Sequence, residues 1–267
     1  MGVKLWWVLA LSAAYTAPVG ADTIVDGNIL TDTTWTAAGN PYVIEGSVVK
    51  VRFGSTLTIE PGVEVRFEPG RVLTTDLGCS IVAVGTPGNV IVFTSNAGSP
   101  APSDWSKVEV YASDDSTFEH CEFRYADTGL YVIAAEPTVS HCSFQDCQKG
   151  IYCHLASPSI THSSFTGSTW AAIQCYGRES LPVIDDCNLW DNEWNIYLQF
   201  YSGSEPEVTI TAENSWWGSD VEADVAASIY DKADNSAVNG VVDYDPWLSA
   251  QPVEGASWGV IKALFRD

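Results

Sequence analysis

Three of the four histidines in this chain recur at a fixed interval, at His120, His141 and His162, each 21 residues after the previous one. An aspartate, Asp186, takes the corresponding place in the next unit. Imidazole nitrogens combined with a carboxylate form a ligand set that suits zinc and copper ions. If these positions lie above one another in the fold, His120, His141, His162 and Asp186 form a candidate metal site.

The same column also has a purely conformational interpretation. Histidine and aspartate are among the residue types that tolerate a left-handed backbone in tight turns. Neighbouring parallel strands lie about 4.8 Å apart, whereas ligand atoms on one ion lie about 3 Å apart because each bond is about 2 Å long. Only tilted rings in adjacent units could share an ion, so we favour a ladder of turn residues over a metal site.

The histidines belong to a repeat that runs from residue 116 to residue 201. Each unit contains a four-residue segment whose second residue is cysteine or serine and whose fourth residue is apolar. The segments are His120-Cys121-Glu122-Phe123, His141-Cys142-Ser143-Phe144, His162-Ser163-Ser164-Phe165 and Asp186-Cys187-Asn188-Leu189. Spacings of 21, 21 and 24 residues indicate a solenoid, in which stacked units bury a shared core that one unit cannot form alone.

Period-two alternation divides each strand of the repeat into inward and outward positions. Cys121, Cys142, Cys153, Cys175 and Cys187 fall at inward positions, where a small thiol packs as a hydrophobic side chain. The chain has seven cysteines, an odd number, and coils about 4.8 Å apart are slightly too distant for the Cβ spacing of a disulfide. We therefore predict that the thiols are mostly free and buried.

Tyrosines recur at the outward positions. One outward column contains Tyr131, Tyr152, Gln174 and Tyr197, and the column two residues further on contains Ile133, His154, Tyr176 and Gln199. A flat row of tyrosines on a rigid sheet suits stacking against sugar rings, with the phenol groups available for hydrogen bonds. The candidate carbohydrate-binding residues are Tyr131, Tyr152, His154, Tyr176 and Tyr197. Alternatively, these aromatics reflect strand propensity, or a loop or the C-terminal tail covers them.

The charge of the chain restricts its partners. A formal net charge of −22 at pH 7 argues against nucleic acid and anionic membranes, both of which need a positive face. It also disfavours anionic polysaccharides, unless a divalent cation such as calcium bridges the two. We expect a monomer without a cofactor, with calcium as an open alternative, whose ligand is a polysaccharide or a cell-surface glycan.

The first 21 residues have the features of a secretory signal peptide. Lys4 precedes an apolar stretch from Leu5 to Ala14, and Val19-Gly20-Ala21 supplies small residues for cleavage. About ten apolar residues are too few to span a bilayer, and no second candidate span follows. Residues 1–21 therefore predict export, to the extracellular medium, the cell surface or the periplasm.

The remaining chain divides into a solenoid domain, residues 22–248, and a polar linker with a short apolar tail, residues 249–267. Within the domain, residues 22–41 are expected to cap the first coil and residues 213–248 the last one. A solenoid needs such caps because its ends expose both the apolar interior and unpaired strand edges.

The predicted C-terminal cap contains a helix signal. Ser219-Asp220-Val221-Glu222 matches a capping box with Ser219 as the N-cap residue. From there, Val221, Val225, Ile229 and Tyr230 would share one face of an α-helix.

Three features of the sequence resemble one family. They are Leu57-Thr58-Ile59-Glu60-Pro61-Gly62-Val63, the Pro-x-Ile-x-x-Cys-x-Phe units, and Asn214-Ser215-Trp216-Trp217-Gly218 with the later Asp243-Tyr244-Asp245-Pro246-Trp247. The chain looks like a right-handed parallel β-helix of the pectin-lyase-like superfamily, especially the bacterial secreted proteins with NosD-like repeats. The resemblance implies an all-β right-handed parallel β-helix. The repeat period predicts about eight coils, and the capping box predicts a short α-helix in the C-terminal cap. The resemblance also places His120, His141, His162 and Asp186 in a turn where asparagine often stacks from coil to coil.

The resemblance does not fix an activity, because the superfamily includes lyases, hydrolases, epimerases and non-catalytic proteins. Acid/base catalysis would require a carboxylate across a cleft from Asp185-Asp186, and Arg124, Lys149 and Arg178 are expected to be scattered in loops. No catalytic residue is predicted, and we favour a non-catalytic binding or scaffolding protein with carbohydrate as its ligand. The alternatives are a polysaccharide lyase or glycoside hydrolase, and a purely structural surface spacer.

Overall fold

The computed structural model describes residues 22–199 and 206–250. The predicted signal peptide, residues 1–21, and residues 251–267 of the predicted tail lie outside these described residues. Within them, 25 short β-strands wind into a stack of coils in which each strand pairs in parallel with strands of the neighbouring coils. No helix in the described ranges is long and apolar enough to cross a membrane.

The strands are between two and eight residues long. The first thirteen are β1 (Thr23–Val25), β2 (Thr33–Trp35), β3 (Tyr42–Ile44), β4 (Val48–Val51), β5 (Thr56–Ile59), β6 (Glu64–Phe67), β7 (Val72–Thr75), β8 (Ser80–Val84), β9 (Ile91–Ser95), β10 (Trp105–Tyr111), β11 (Thr117–Glu119), β12 (Cys121–Arg124) and β13 (Ala126–Ile133). The others are β14 (Thr138–Ser140), β15 (Ser143–Gln145), β16 (Lys149–His154), β17 (Ser159–Thr161), β18 (Ser164–Thr166), β19 (Ala171–Tyr176), β20 (Val183–Asp185), β21 (Asn188–Trp190), β22 (Trp194–Gln199), β23 (Val208–Thr211), β24 (Ile229–Tyr230) and β25 (Gly240–Asp243). A 3₁₀-helix spans Ala37–Gly39, and one α-helix, α1, spans Glu222–Ala227.

The strands form three parallel sheets, one on each side of the coil. Sheet 1 has the order β1-β3-β6-β9-β12-β15-β18-β21, sheet 2 the order β24-β22-β19-β16-β13-β10-β7-β4, and sheet 3 the order β2-β5-β8-β11-β14-β17-β20-β23-β25. Sheets of eight, eight and nine strands correspond to about eight coils. The predicted all-β parallel solenoid is therefore confirmed.

Inward columns of apolar side chains fill the space between the sheets. The rings of Phe93, Phe123, Phe144 and Phe165 stack in successive coils, with neighbouring centroids 4.6 to 4.8 Å apart. All four rings are fully buried, and Phe123 and Phe144 each combine this hydrophobic burial with a stacked ring on either side. The fourth position of each repeat segment is thus the core position that the sequence predicts.

Two glycines allow the phenylalanine column to pack closely against sheet 2. A Cβ on Gly129 would lie 2.9 Å from Phe144 Cδ1, and one on Gly150 would lie 2.8 Å from Phe165 Cδ1. The next coil has Ala172 at this position, and its core residue is Leu189 instead of phenylalanine. The residue before the inward aliphatic side chain is therefore smaller where the core side chain that it faces is larger.

All seven cysteines lie within the described residues, and each is buried as a free thiol. Burial raises the pKa of Cys147 and of Cys187 to about 12. The Cys121 thiol lies 3.4 Å from the Ala83 carbonyl oxygen, which gives it a weak acceptor in the preceding coil. The prediction of free, buried cysteines is confirmed.

The C-terminal cap differs from the sequence prediction. Helix α1 starts at Glu222, its N-cap residue is Val221, and no side chain caps it, so the assignment of Ser219 as N-cap is wrong. The Ser219 hydroxyl instead accepts a hydrogen bond from the Val221 amide (3.1 Å) and donates one to Asp224 Oδ2 (2.9 Å). These bonds form a turn ahead of the helix and leave Val221 in an extended conformation.

The predicted helical face is also wrong at its C-terminal end. Ile229 and Tyr230 form strand β24, which pairs with β22 and extends sheet 2 by one strand. Continuing α1 through these residues would leave the edge of β22 unpaired, which is unfavourable for backbone polar groups. Of the predicted face, Val225 is fully buried, while Val221 is half exposed.

Candidate binding groove

The histidine column lies where the chain turns from sheet 3 into sheet 1. His120, His141, His162 and Asp186 all have φ between 49° and 53°, in the left-handed region. The ring centroids of His120 and His141 are 4.8 Å apart, as are those of His141 and His162. The turn ladder favoured by the sequence is therefore what the backbone adopts.

The four predicted metal ligands do not converge on one point. His162 Nε2 lies 3.7 Å from Asp186 Oδ2, while His120 Nε2 lies 3.9 Å from Glu119 Oε1. Donor atoms of Glu119, His120 and His141 all lie within 4.8 Å of one another. Burial, and then the neighbouring His162 and His120, lower the pKa of His141 below its ordinary value.

The predicted outward columns lie on the outer face of sheet 2. Tyr131 pairs with Tyr152, Tyr152 with Gln174, Gln174 with Tyr197, and Tyr197 with Tyr230. The rings of Tyr131 and Tyr152 meet edge to face with centroids 4.8 Å apart, and those of Tyr197 and Tyr230 stack at 4.5 Å. Four tyrosines and one glutamine thus follow the stacking direction of the coils.

The second outward column lies beside the first one. His154 and Tyr176 meet edge to face with ring centroids 4.8 Å apart. The Tyr131 hydroxyl lies 3.5 Å from His154 Nδ1, which links the two columns. All five predicted carbohydrate-binding residues therefore lie on the outer face of sheet 2.

A shallow groove of about 380 Å³, called here the sheet 2 groove, runs along this face. Its lining includes Lys107, Asp127, Tyr131, Lys149, Tyr152 and Gln174. A second hollow of about 350 Å³ shares Lys149, Gln174 and Gln199 with the groove and adds Trp170. Together the two hollows extend over the five sheet 2 strands β10, β13, β16, β19 and β22.

The two lysines of the groove are each paired with a carboxylate. Lys107 Nζ lies 2.7 Å from Glu109 Oε2 and 4.2 Å from the centre of the Tyr131 ring. Lys149 Nζ lies 3.4 Å from Asp127 Oδ1 and donates a hydrogen bond to Gln148 Oε1 (2.8 Å). The groove therefore presents charged hydrogen-bonding groups without an excess of positive charge.

Gln174 lies at the point where the two hollows meet. It is only 4% exposed, and its Nε2 donates a hydrogen bond of 2.6 Å to Gln199 Oε1. Its Oε1 has no hydrogen-bond partner within the described part of the chain. A buried polar atom without a partner is costly, which is the situation expected where a ligand or water completes a site.

Burial also raises the pKa values of the groove tyrosines. It raises the pKa of Tyr152 to about 12, with smaller contributions from Tyr131 and Tyr176. It raises the pKa of Tyr131 as well, helped by the nearby Glu109 carboxylate. These phenols consequently keep their protons at neutral pH and can donate hydrogen bonds.

An aromatic cluster closes the C-terminal end of the face. The Tyr197 ring lies 5.2 Å from Trp170 and 6.1 Å from Trp194, and Trp194 lies 5.5 Å from Tyr230. Rigid, partly exposed rings of this kind offer apolar surface with little loss of side-chain entropy. The predicted Tyr197 site is thus part of a larger aromatic patch.

The sequence did not assign the lysines, the two glutamines or the tryptophans of this face to the site. The placement of Lys149 and Arg124 in loops is wrong, because Lys149 begins strand β16 and Arg124 ends strand β12. The register provides a signal for some of them, since Lys107, Thr128 and Lys149 occupy one column of sheet 2. Trp194 occupies the same column two coils further on. Period-two alternation does not find them, because Lys149 and Trp194 lie in phase with the inward Ile151 and Ile196.

The carboxylates Asp185 and Asp186 do not contribute to the groove. Asp185 ends strand β20 of sheet 3, where its Oδ1 accepts a hydrogen bond of 2.8 Å from Asn214 Nδ2. Asp186 belongs to the turn that leads into sheet 1. Neither residue can act on a ligand bound along sheet 2.

Comparison with known proteins gives two family matches and nothing more specific. Residues 90–239 match a model described as a right handed beta helix region, and residues 27–115 match one described as a pectate-lyase like beta helix domain. No curated protein and no solved structure gives a significant match. The first model covers more than half of the chain and agrees with the three parallel sheets, so the protein belongs to the right-handed β-helix family and fits the pectin-lyase-like superfamily.

Proposed function

We propose that this protein is an exported, non-catalytic β-helix protein that binds a polysaccharide along the sheet 2 groove. The observation that carries the proposal is one column on the outer face of sheet 2, in which Tyr131 and Tyr152 lie in adjacent coils and Tyr197 lies two coils beyond Tyr152. A column of rings with one glutamine, on a rigid sheet, is suited to a polymer, because successive coils can contact successive sugar units by stacking or by hydrogen bonds.

Polar groups beside the rings supply the directional contacts that sugars need. Lys107, Lys149 and Gln174 line the same groove as Tyr131 and Tyr152. The lysines and the protonated phenols can donate hydrogen bonds to hydroxyl and ring oxygens, and the free Gln174 Oε1 can accept one if its side chain turns toward the ligand. Pockets that bind small ligands combine these elements, with apolar contact surface and a few placed polar groups.

The charge pattern favours neutral sugars over uronates. Glu109 and Asp127 already pair with Lys107 and Lys149, and the chain has a net charge of −22. A polyanion would therefore meet long-range repulsion, and both lysines that line the groove already have a carboxylate partner. Because calcium could bridge an acidic polysaccharide and the acidic protein, the binding test includes acidic polysaccharides with calcium.

The proposed export is based on the signal-peptide features of residues 1–21. An exported protein would lie outside the cytoplasm, in the medium, at the cell surface or in the periplasm. Of the two other functions considered, a polysaccharide lyase or glycoside hydrolase would cleave its ligand, whereas a structural spacer would bind none. A glycan array and an activity screen on polyuronates with calcium separate all three.

The decisive variants are Tyr152→Ala and Tyr197→Ala. Removing one stacking ring should weaken binding to the glycan selected on the array by about three- to tenfold. Phe53→Ala is a matched control, because Phe53 is 75% exposed and does not line the groove. Unchanged binding by both tyrosine variants would refute the proposed site, and chain cleavage in the screen would refute the non-catalytic function.

A further inference from the structure

We propose that Glu119, His120 and His141 bind a divalent transition-metal ion such as Zn²⁺. These residues lie at the corner between sheets 3 and 1, which is the corner that sheet 2 does not touch. Glu119 ends strand β11, His120 forms the turn, and His141 forms the same turn one coil later. The site is therefore independent of the sheet 2 groove and of any sugar that binds there.

Backbone conformation alone does not explain three histidines in succession. Other left-handed turn positions of the same solenoid are occupied by Ala112, Ala134 and Leu155. The fold thus accepts ordinary side chains at φ near +50°, although asparagine, aspartate and histidine are more common there. The presence of imidazoles in this column consequently calls for a second explanation, which ligand binding provides.

The arrangement of His120 and His141 suits a shared ion. Their ring planes are inclined by 38°, so their nitrogens can approach one another more closely than in a parallel stack. The Glu119 carboxylate lies 3.9 Å from His120 Nε2, and all three donor atoms lie within 4.8 Å of one another. Zinc bonds of about 2.0 to 2.2 Å need the donors to close to a little over 3 Å.

The side chains have the freedom for this small closure. The Glu119 side chain is 40% exposed, whereas that of His120 is 18% exposed and held at the turn. His141 is exposed and belongs to the next coil. Rotation of Glu119 and His141 toward His120 forms a three-donor set, and water would supply the remaining ligand.

His162 does not belong to the set. Its ring stacks on that of His141 with the planes only 4° apart, which keeps the nitrogens of the two rings a full coil apart. Its Nε2 lies 3.7 Å from Asp186 Oδ2 on the opposite side. His162 therefore packs beneath His141, while the ion binds between His120 and His141.

The donor set indicates the class of ion. Two imidazole nitrogens and one carboxylate oxygen suit zinc, cobalt or nickel, whereas calcium and magnesium take mostly oxygen ligands. Because the ligands come from two adjacent coils, the bound ion would join those coils. Binding to the folded state alone would then raise the midpoint of thermal unfolding.

The test uses the full chain without a histidine tag, titrated calorimetrically with Zn²⁺ and with Ca²⁺. We expect one Zn²⁺ per chain, no response to Ca²⁺, and a higher unfolding midpoint with excess Zn²⁺. Glu119→Gln and His141→Asn should each weaken Zn²⁺ binding by at least about tenfold, because even outer-shell losses commonly cost that much. Asparagine at position 141 keeps a side chain that tolerates the left-handed turn.

Two further variants make the assignment specific. His154→Gln removes the fourth histidine, on the outer face of sheet 2, and should leave Zn²⁺ affinity unchanged. His162→Gln should reduce it by less than about threefold, since His162 is only a packing neighbour. Zn²⁺ affinity that is the same in His141→Asn as in the unmodified chain, or a tenfold loss in His162→Gln, would overturn the proposal.

The buried cysteine thiols are the main alternative ligands for the metal ion. Co²⁺ serves as a second probe, because its absorption distinguishes thiolate ligands from nitrogen and oxygen ligands. Co²⁺ bound to nitrogen and oxygen donors lacks the intense thiolate charge-transfer absorption that cysteine ligation produces. The proposed site predicts visible bands without that absorption, in a protein whose circular dichroism is unchanged by the ion. Thiolate absorption in the folded protein would assign the ion to cysteines and overturn the site.

Discussion

At the scale of single residues, burial controls the titration of the groove tyrosines and of the core thiols. Tyr152 lies between Tyr131 and Gln174 in its column, and its environment disfavours the charged phenolate. Cys147 and Cys187 are fully buried, which disfavours the thiolate in the same way. Both effects have the same sign, so the folded state holds its protons more tightly than the unfolded state at alkaline pH.

Tyr152 should make the folded state less stable as the pH rises above 10. In the unfolded chain the phenol ionises near its ordinary pKa of 10, whereas in the folded chain its pKa is about 12. Between these values the folded state binds more protons, so the free energy of unfolding falls with increasing pH. Urea titrations from pH 7 to pH 11 should show a shallower decline for Tyr152→Phe than for the unmodified chain. Identical slopes would contradict the assignment.

The seven cysteines should be unreactive in the folded protein. Each is buried, and thiol reagents react with the exposed thiolate. A colorimetric thiol reagent without reductant should detect none of them rapidly at neutral pH and all seven after unfolding in denaturant. Rapid labelling of the folded protein would contradict the burial, and fewer than seven thiols after unfolding would indicate disulfides.

At the scale of single elements, each strand of sheet 2 has to fit both the core beneath it and the strand beside it. Gly150 shows this requirement, because a Cβ there would lie 2.5 Å from the Ala172 carbonyl oxygen and 2.8 Å from Phe165 Cδ1. The periodic sequence indicates a small residue at this position, but only the structure shows which ring and which carbonyl demand it. In strand β24 the local sequence predicts the wrong element. Ile229 and Tyr230 continue a helical pattern in the sequence, but they form a strand because they pair with β22.

Gly150→Ala should destabilise the fold by about 1 to 3 kcal/mol, the usual cost of overpacking a core. Adding Phe165→Leu should relieve the contact with the ring but not the one with the Ala172 carbonyl. The double variant should therefore be less destabilised than the sum of the two single variants, by at least about 0.5 kcal/mol. The free energies come from urea unfolding of all four proteins. Strict additivity would contradict the proposed coupling between Gly150 and Phe165.

At the scale of the whole molecule, the repeat determines what can be predicted from the sequence. Alternation and period identify the inward phenylalanines, the left-handed histidine turns and the outward tyrosines, because each rule is local and recurs in every coil. The groove depends on residues from outside the repeat segments, such as Lys107 and Trp170. The proposed metal ligands also differ from the predicted set of His120, His141, His162 and Asp186. Glu119 belongs to the strand before the turn, and the tilt between the His120 and His141 rings cannot be predicted from residue spacing.

The charge of the whole chain and the pairing within the groove act together on ligand choice. Lys107 and Lys149 are the cations that line the groove, and both are paired with carboxylates. With a net charge of −22, the surrounding field repels acidic polymers over about 8 to 10 Å at ordinary salt concentrations. A neutral glycan is insensitive to both effects, so its affinity should change little with ionic strength.

Freeing one groove lysine should shift this preference. Glu109→Gln removes the partner of Lys107 and should raise affinity for a polyuronate by about two- to fivefold, since the pair is half-buried at the surface of the groove. Glu122→Gln is the matched control, because it also removes one negative charge, but its partner Arg124 lies on sheet 1. Affinity electrophoresis through gels containing the polyuronate, run at low and high salt, measures both variants against the unmodified chain.

Only Glu109→Gln should gain affinity for the polyuronate, and this gain should be smaller at high salt. An equal gain in both variants would mean that net charge, and not the groove lysine, governs the interaction.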